Sequence, residues 1–127
     1  MASRHDTDFY AWTQEQSALL RQAADLRPNS VPGLDWQNLA HEIWELGLSL
    51  ELELYHRYVV LIAHLLKWQY QWRLRSGSWR GTIGEQRRRI ARLVRKNPAM
   101  RPQRLIEFAD AYADARKQAV DETGLDS

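Results

Sequence analysis

The chain is predicted to be all-α, an antiparallel bundle of four or five helices around a long central helical hairpin or kinked helix. Three observations carry this. In the stretch Trp36 to Trp72, the residues Trp36, Leu39, Ile43, Leu46, Leu50, Leu54, Tyr58, Leu61, Leu65, Trp68 and Trp72 recur in steps of three and four, which is the period of one helix face. The flanking segments show the same period on shorter apolar stripes. Pro, Gly, Asn and Ser gather in short breaks between them, the composition of helix–helix connections.

Residues 1–5 and 125–127 read as disordered tails around one domain, 6–124. The first helix starts at Asp6 or Asp8, whose carboxylates suit its free N–H groups and positive end, and runs to about Ala24. Its expected inner face is Phe9, Trp12, Gln16, Leu19 and Ala23. Asp25 to Leu34 (DLRPNSVPGL) is a loop, and Asp35 is a good N-cap for the central stretch.

Within that stretch, Leu46, Leu48, Leu50, Leu52 and Leu54 alternate with Gly47, Ser49, Glu51 and Glu53, a strand-like period. Helix wins, because the flanks are helical and Leu and Glu favour helix over strand. Leu48 and Leu52 then lie away from the main stripe and offer a second apolar face, suited to a central position or to an oligomer interface. One helix over the whole stretch would span roughly 55 Å, so a break or kink is expected near Gly47–Ser49.

Arg73 to Gly84 (RLRSGSWRGTIG) reads as a loop or frayed turn, with Ser78 or Thr82 as the following cap. Thr82 and Glu85 have capping-box spacing. The fourth helix turns Ile83, Ile90, Leu93 and Val94 inward and ends near Asn97. Asn97-Pro98 stops it and starts the next segment. The last helix is expected to bury Leu105, Phe108, Ala109, Tyr112, Ala115 and Ala119, with Gly124 as its terminator.

At 127 residues, with six Trp and five Tyr, the chain can bury roughly two-thirds of its unfolded surface. It has no Cys, which excludes disulfides, thiolate metal sites and cysteine nucleophiles. No signal-peptide pattern opens the chain, and its longest apolar run, Tyr58 to Leu66, is too short for a membrane span. A cytoplasmic protein without a membrane partner is expected.

Net charge is +2 but unevenly placed. Residues 1–72 carry five Lys or Arg against nine Asp or Glu, residues 73–104 eleven against one, and residues 105–127 two against six. Arg88, Arg89, Arg92, Arg95 and Lys96 share the face opposite Ile83, Ile90 and Val94. Such a face beside an exposed Trp79 suits phosphate backbone and base stacking. The bland alternative is a basic helix neutralised between acidic ones, or simply solvated.

Catalytic patterns are thin. His41-Glu42-x-x-Glu45 lacks the second imidazole of the zinc-protease helix. Glu53-x-x-His56 is a single copy of a di-iron half-motif that requires two. No nucleophile elbow or phosphate loop is present. His64 lies at the edge of the central stripe and would meet Glu42 or Glu45 if the helix folded back near Gly47. The bland reading is a buried His bonded to a carboxylate or carbonyl, the sharper one a metal or substrate ligand. No cofactor is assigned.

Four blocks resemble a known bacterial family, the domain of unknown function 29. They are Asp6-x-Asp8-Phe9-Tyr10-x-Trp12 with Gln16 and Leu19-Leu20; Leu39-x-x-Glu42-Ile43-x-Glu45-Leu46-Gly47; His64-Leu65-Leu66-Lys67-Trp68-Gln69-Tyr70-Gln71; and Ser78-Trp79-Arg80-x-Thr82-Ile83 with Glu85-Gln86-Arg87. The resemblance implies a compact helical protein and no assigned activity. If the family has a common site, its candidates here are Asp8, Tyr10, Glu42, Glu45, His64, Trp79 and Arg80. His41 and His56 lie outside the family pattern, and Gly77, Gly81 and Gly84 stand where larger or basic residues are usual, implying a looser loop.

The leading expectation is a non-catalytic module that binds a protein partner or self-associates, the latter through the Leu48/Leu52 face. The second is a nucleic-acid-associated, toxin–antitoxin-like module using the Arg face. The third is a metal- or ligand-dependent enzyme centred on His64 with Glu42 and Glu45.

Overall fold

The computed structural model describes residues 3–124. Five α-helices follow in order: α1 Arg4–Thr7, α2 Phe9–Leu26, α3 Trp36–Tyr70, α4 Gly77–Lys96 and α5 Gln103–Thr123. Short 3-10 turns, Trp72–Leu74 and Pro98–Met100, flank α4. Among the described residues there is no strand, and no helix is long and apolar enough to cross a membrane.

The break expected near Gly47–Ser49 does not form. Helix α3 is continuous over 35 residues, roughly 52 Å at ~1.5 Å per residue. Gly47 has a different task there. A Cβ on it would meet Thr13 Oγ1 at 2.5 Å and Gln14 Nε2 at 2.8 Å, so the glycine lets α2 cross α3 at close range. Ser49 Oγ donates to the Glu45 carbonyl at 3.0 Å, a bond within the same helix that leaves its ladder unbroken.

That close crossing also sets the inner face of α2. The buried residues are Tyr10, Thr13 and Ser17, not the larger Phe9, Trp12 and Leu19. Small side chains fit where backbones approach, and their hydroxyls are satisfied inside the helix: Thr13 Oγ1 donates to the Tyr10 carbonyl at 2.7 Å and Ser17 Oγ to that of Gln14 at 3.2 Å. Phe9 and Trp12 stack on each other, centroids 5.6 Å apart, and meet the His5 ring edge-on. His5 belongs to α1, so the first ordered turn begins within the stretch assigned to the N-terminal tail.

The segment Arg73–Gly84 holds far less loop than expected. Ser76 is the N-cap, its side chain accepting from Trp79 N, and α4 begins at Gly77. Gly77, Gly81 and Gly84 are therefore helical. The other caps are as predicted: Asp8 accepts from Ala11 N, Asp35 from Asn38 N, and Gly124 closes α5 in the left-handed region at φ 73°.

Consecutive long helices run antiparallel. Tyr10 meets Glu51 while Thr13 meets Gly47 across α2 and α3. Helix α5 returns parallel to α3, pairing Asp114 with Tyr55 and Glu122 with Lys67. Two cores result. One gathers Tyr10, Leu54, Leu61, Ile83, Ile90, Val94 and Met100. The other packs Ile62 and Ala63 of α3 on the stripe Ala111, Ala115, Ala119 of α5.

The α5 stripe corrects a second expected face. Ala115 and Ala119 are buried as predicted, but Leu105 is 80% exposed, and Phe108, Ala109 and Tyr112 also face out. Alanines one turn apart let α5 lie flat against α3, and this outweighs the larger side chains. The α3 stripe itself is buried only in part: Leu54 and Leu61 are inside, while Leu39 and Leu46 are exposed.

Candidate functional site

The seven family-pattern candidates separate into three places. Asp8 and Tyr10 lie where the start of α2 meets the corner between α4 and α5. The Asp8 carboxylate accepts from Ala11 N at 3.1 Å and, across the corner, from Ala99 N at 2.8 Å. Tyr10 N donates to Asn97 Oδ1 at 3.0 Å, and Asn97 Nδ2 donates to the Leu93 carbonyl at 3.0 Å. These bonds satisfy free groups at a helix start and a helix end together.

The Tyr10 hydroxyl reaches inward and donates to the Glu51 carboxylate. Burial, then Glu51, pushes the phenol well above its ordinary range, so it acts as a donor and not as a nucleophile. Glu107 faces the same group, its carboxyl held above the usual range first by burial and then by Glu51 and Asp110. Tyr10, Glu51 and Glu107 thus form a polar knot among α2, α3 and α5. Sequence reasoning found Tyr10 and missed the two acids. Glu51 lies four residues after Gly47 and three before Leu54, on the edge of the buried line. Glu107 lies four before Ala111, on the alanine stripe.

His64, Trp79 and Arg80 gather at the other end of the core, where α3 ends and α4 begins. The centre there is Lys67, 4% exposed. Its ammonium donates to Glu122 of α5 and sits 5.2 Å from the Trp79 ring centroid. The Trp68 ring carries Arg75 at 4.8 Å and Arg80 at 5.6 Å. Arg75 Nε also donates to the Trp68 carbonyl at 2.7 Å, capping the end of α3. His64 is half-buried, and its Nδ1–H donates to the Val60 carbonyl at 2.9 Å, the bland outcome for a core-edge histidine. Hydrogen bonds from Lys67 and then Gln118 hold the Glu122 carboxyl below its usual range. The ammonium lies against a carboxylate of α5 and an indole face of α4, an arrangement that ties three helices together.

Glu42 and Glu45 lie far from both. They are exposed, and Glu45 pairs with His41 at 3.0 Å on the same helix. Because α3 does not fold back, Glu42 and His64 stand roughly 33 Å apart along it. The His64, Glu42, Glu45 constellation is not assembled. Among the described residues, no group of three or more His, Asp or Glu is placed to hold a metal ion. Glu53 pairs with Arg57 at 3.1 Å, and His56 is exposed against Tyr55.

The basic residues Arg88, Arg89, Arg92, Arg95 and Lys96 are all exposed. Arg89 pairs with Glu85 of its own helix at 2.7 Å. Among the described residues the others have no acidic partner at ion-pair distance. Trp79 is not free to stack a base, because it is half-buried with Lys67 on its ring.

The model of the family Domain of unknown function DUF29 matches residues 5–127. The chain belongs to this family. No curated protein and no solved structure matches it.

Proposed function

We propose that this member of the family is a non-catalytic interaction module that self-associates through the apolar stripe Trp44, Leu48, Leu52 on α3. The carrying observation is that stripe. The three residues are spaced by one turn, Leu52 is 49% exposed, Trp44 is exposed, and Leu48 is half-buried. The N-terminal part of α3 packs on α2 at the Gly47 crossing, whereas the bonds from α4 and α5 reach α3 farther along, at Arg57, Tyr55 and Lys67.

A second copy is the favoured occupant on grounds of area. The chain exposes 8542 Å² at 15.0 kDa, against about 7,000 Å² for a compact monomer of that mass. The surplus exceeds the ~800 Å² that each partner contributes to a standard interface. Helix stripes of this kind pair by isologous packing, each copy offering the same residues to the other.

Light scattering tests the proposal. The expected mass is twice 15.0 kDa at tens of micromolar or above, as is ordinary for an interface near standard size. The double substitution Trp44→Glu/Leu52→Glu is expected to return it to a folded monomer. A wild-type monomer at every concentration overturns the proposal, as does a dimer that the double substitution leaves intact.

A further inference from the structure

A groove of about 360 Å³ runs between the middle of α3, the outer edge of α4 and the start of α5. Its floor is apolar, formed by Tyr58, Leu61 and Ile90. Its walls are four arginines, Arg87 and Arg95 from α4, Arg101 from the corner after it, and Arg104 from the first turn of α5. No carboxylate lines it. Among the described residues, none of the four makes an ion pair; Arg104 Nε donates only to the Arg101 carbonyl, at 3.4 Å.

Four arginines of like charge line one concavity, and folding has brought them from two helices and the corner between them. A bound anion offsets that charge. Guanidinium forks match phosphate oxygens two at a time. The volume lies within the roughly 300–1,000 Å³ of small-molecule sites, and the apolar floor, with an aromatic ring in it, suits a planar body more than a bare ion. The arginines line a concavity instead of a ridge, and this favours a compact ligand over a long strand. On the outer ridge of α4, Arg88 and Arg92 take no part in the groove.

We infer that this groove binds a phosphorylated small molecule with a planar aromatic body, of the nucleoside di- or triphosphate class. The site is independent of the self-association stripe and does not rest on it.

ADP is the probe, titrated by calorimetry into the full chain at low salt, with adenosine, inorganic pyrophosphate and a single-stranded RNA oligomer as comparators. The expected order is ADP bound more tightly than pyrophosphate and adenosine. Affinity should fall at least tenfold in Arg95→Gln/Arg101→Gln, both positions being exposed, and stay within twofold in Arg88→Gln/Arg92→Gln. Thermal melting without ligand verifies that each variant folds. No heat with ADP overturns the inference, as does equal binding by the groove variant. Pyrophosphate matching ADP removes the planar body from the proposal. RNA binding more than tenfold tighter than ADP, through the same two arginines, replaces it with a nucleic-acid surface.

Discussion

The two halves of α3 carry the same stripe in sequence and meet different surroundings in the fold. From Leu54 onward, the helix is enclosed by α4 on one side and α5 on the other, and Leu54, Leu61, Ile62, Ala63 and even Lys67 are buried. Before it, α2 is the chief neighbour, and Leu39, Trp44, Leu46 and Leu52 are exposed. Apolar periodicity tells which face of a helix is inward. It does not tell how many neighbours that helix has, because those neighbours come from distant parts of the chain.

The sharpest contrast lies between two leucines two positions apart. Leu54 is fully buried and Leu52 is 49% exposed. Leu54→Ala is expected to cost about 2–5 kcal/mol through lost transfer energy and the cavity left behind. Leu52→Ala is expected to change the stability of the isolated chain by less than about 0.5 kcal/mol. Urea melts at low protein concentration measure both, and equal costs would break the distinction between the enclosed and the open face of α3.

The crossing of α2 and α3 marks the boundary. Gly47→Ala forces a Cβ to 2.5 Å from Thr13 Oγ1, an overpacking expected to cost about 1–3 kcal/mol. Adding Thr13→Ala removes the obstructing oxygen. The pair should recover most of the loss and gain from the better helix propensity of Ala, worth up to ~1 kcal/mol. A double-mutant cycle reads the coupling directly. Additive losses would mean that the glycine serves something other than close approach.

Two acids on α5 give the smallest effects, and of opposite sign. The Glu122 carboxyl is held low by Lys67, so its contribution is present above the unfolded value and lost as pH falls through the folded one. Glu122→Gln should lower the melting temperature at pH 7 by a few degrees, for a loss of about 1 kcal/mol at this half-exposed partner. The Glu107 carboxyl is held high by burial and by Glu51, so its favourable state exists below the unfolded value and is lost as pH rises through the folded one. Glu107→Gln should therefore raise the melting temperature slightly at pH 7. Both differences should fade in acid, that of Glu107 first and that of Glu122 last, as pH falls through the raised folded value of the one and the lowered folded value of the other. Shifts of the same sign at pH 7 would refute the assignment.

What was legible in the sequence were the long helices, the N-caps of α2 and α3, the C-terminal Gly124 and the inner face of α4, but not the start of α4, which Ser76 caps within the expected loop. Asp8, Asp35 and Gly124 announce helix ends by local chemistry, and Ile83, Ile90, Leu93 and Val94, with Trp79 at its start, are the large apolar residues that α4 has to bury. Three readings failed for one reason. On α2 and α5 apolar periodicity points the larger side chains inward, yet Thr13, Ser17 and the alanines Ala111, Ala115 and Ala119 are the buried ones. Gly47 reads as a break and is a crossing point. In each case close helix approach selects small residues, and size-weighted hydrophobicity points the other way. The stripe of small residues one turn apart was the available signal.

The site was legible to a lesser degree. His64, Trp79 and Arg80 lie at the same end of the core, where Lys67 of the His64 block meets Trp79 and the Trp68 ring carries Arg80. Asp8 and Tyr10 also come together, and their partners Asn97, Glu51 and Glu107 lie far along the chain. Long-range pairing of this kind has no local signature. The expected meeting of His64 with Glu42 or Glu45 depended on a fold-back, and α3 runs unbroken through Gly47.

Native-state hydrogen exchange along α3, run at low and high protein concentration, tests the central claim most directly. The account predicts that amides from 54 to 67 are strongly protected at both concentrations. Amides from 38 to 52 should exchange through cheaper openings when the protein is dilute and gain protection as it is concentrated. Uniform protection along the helix, unchanged by concentration, would contradict it.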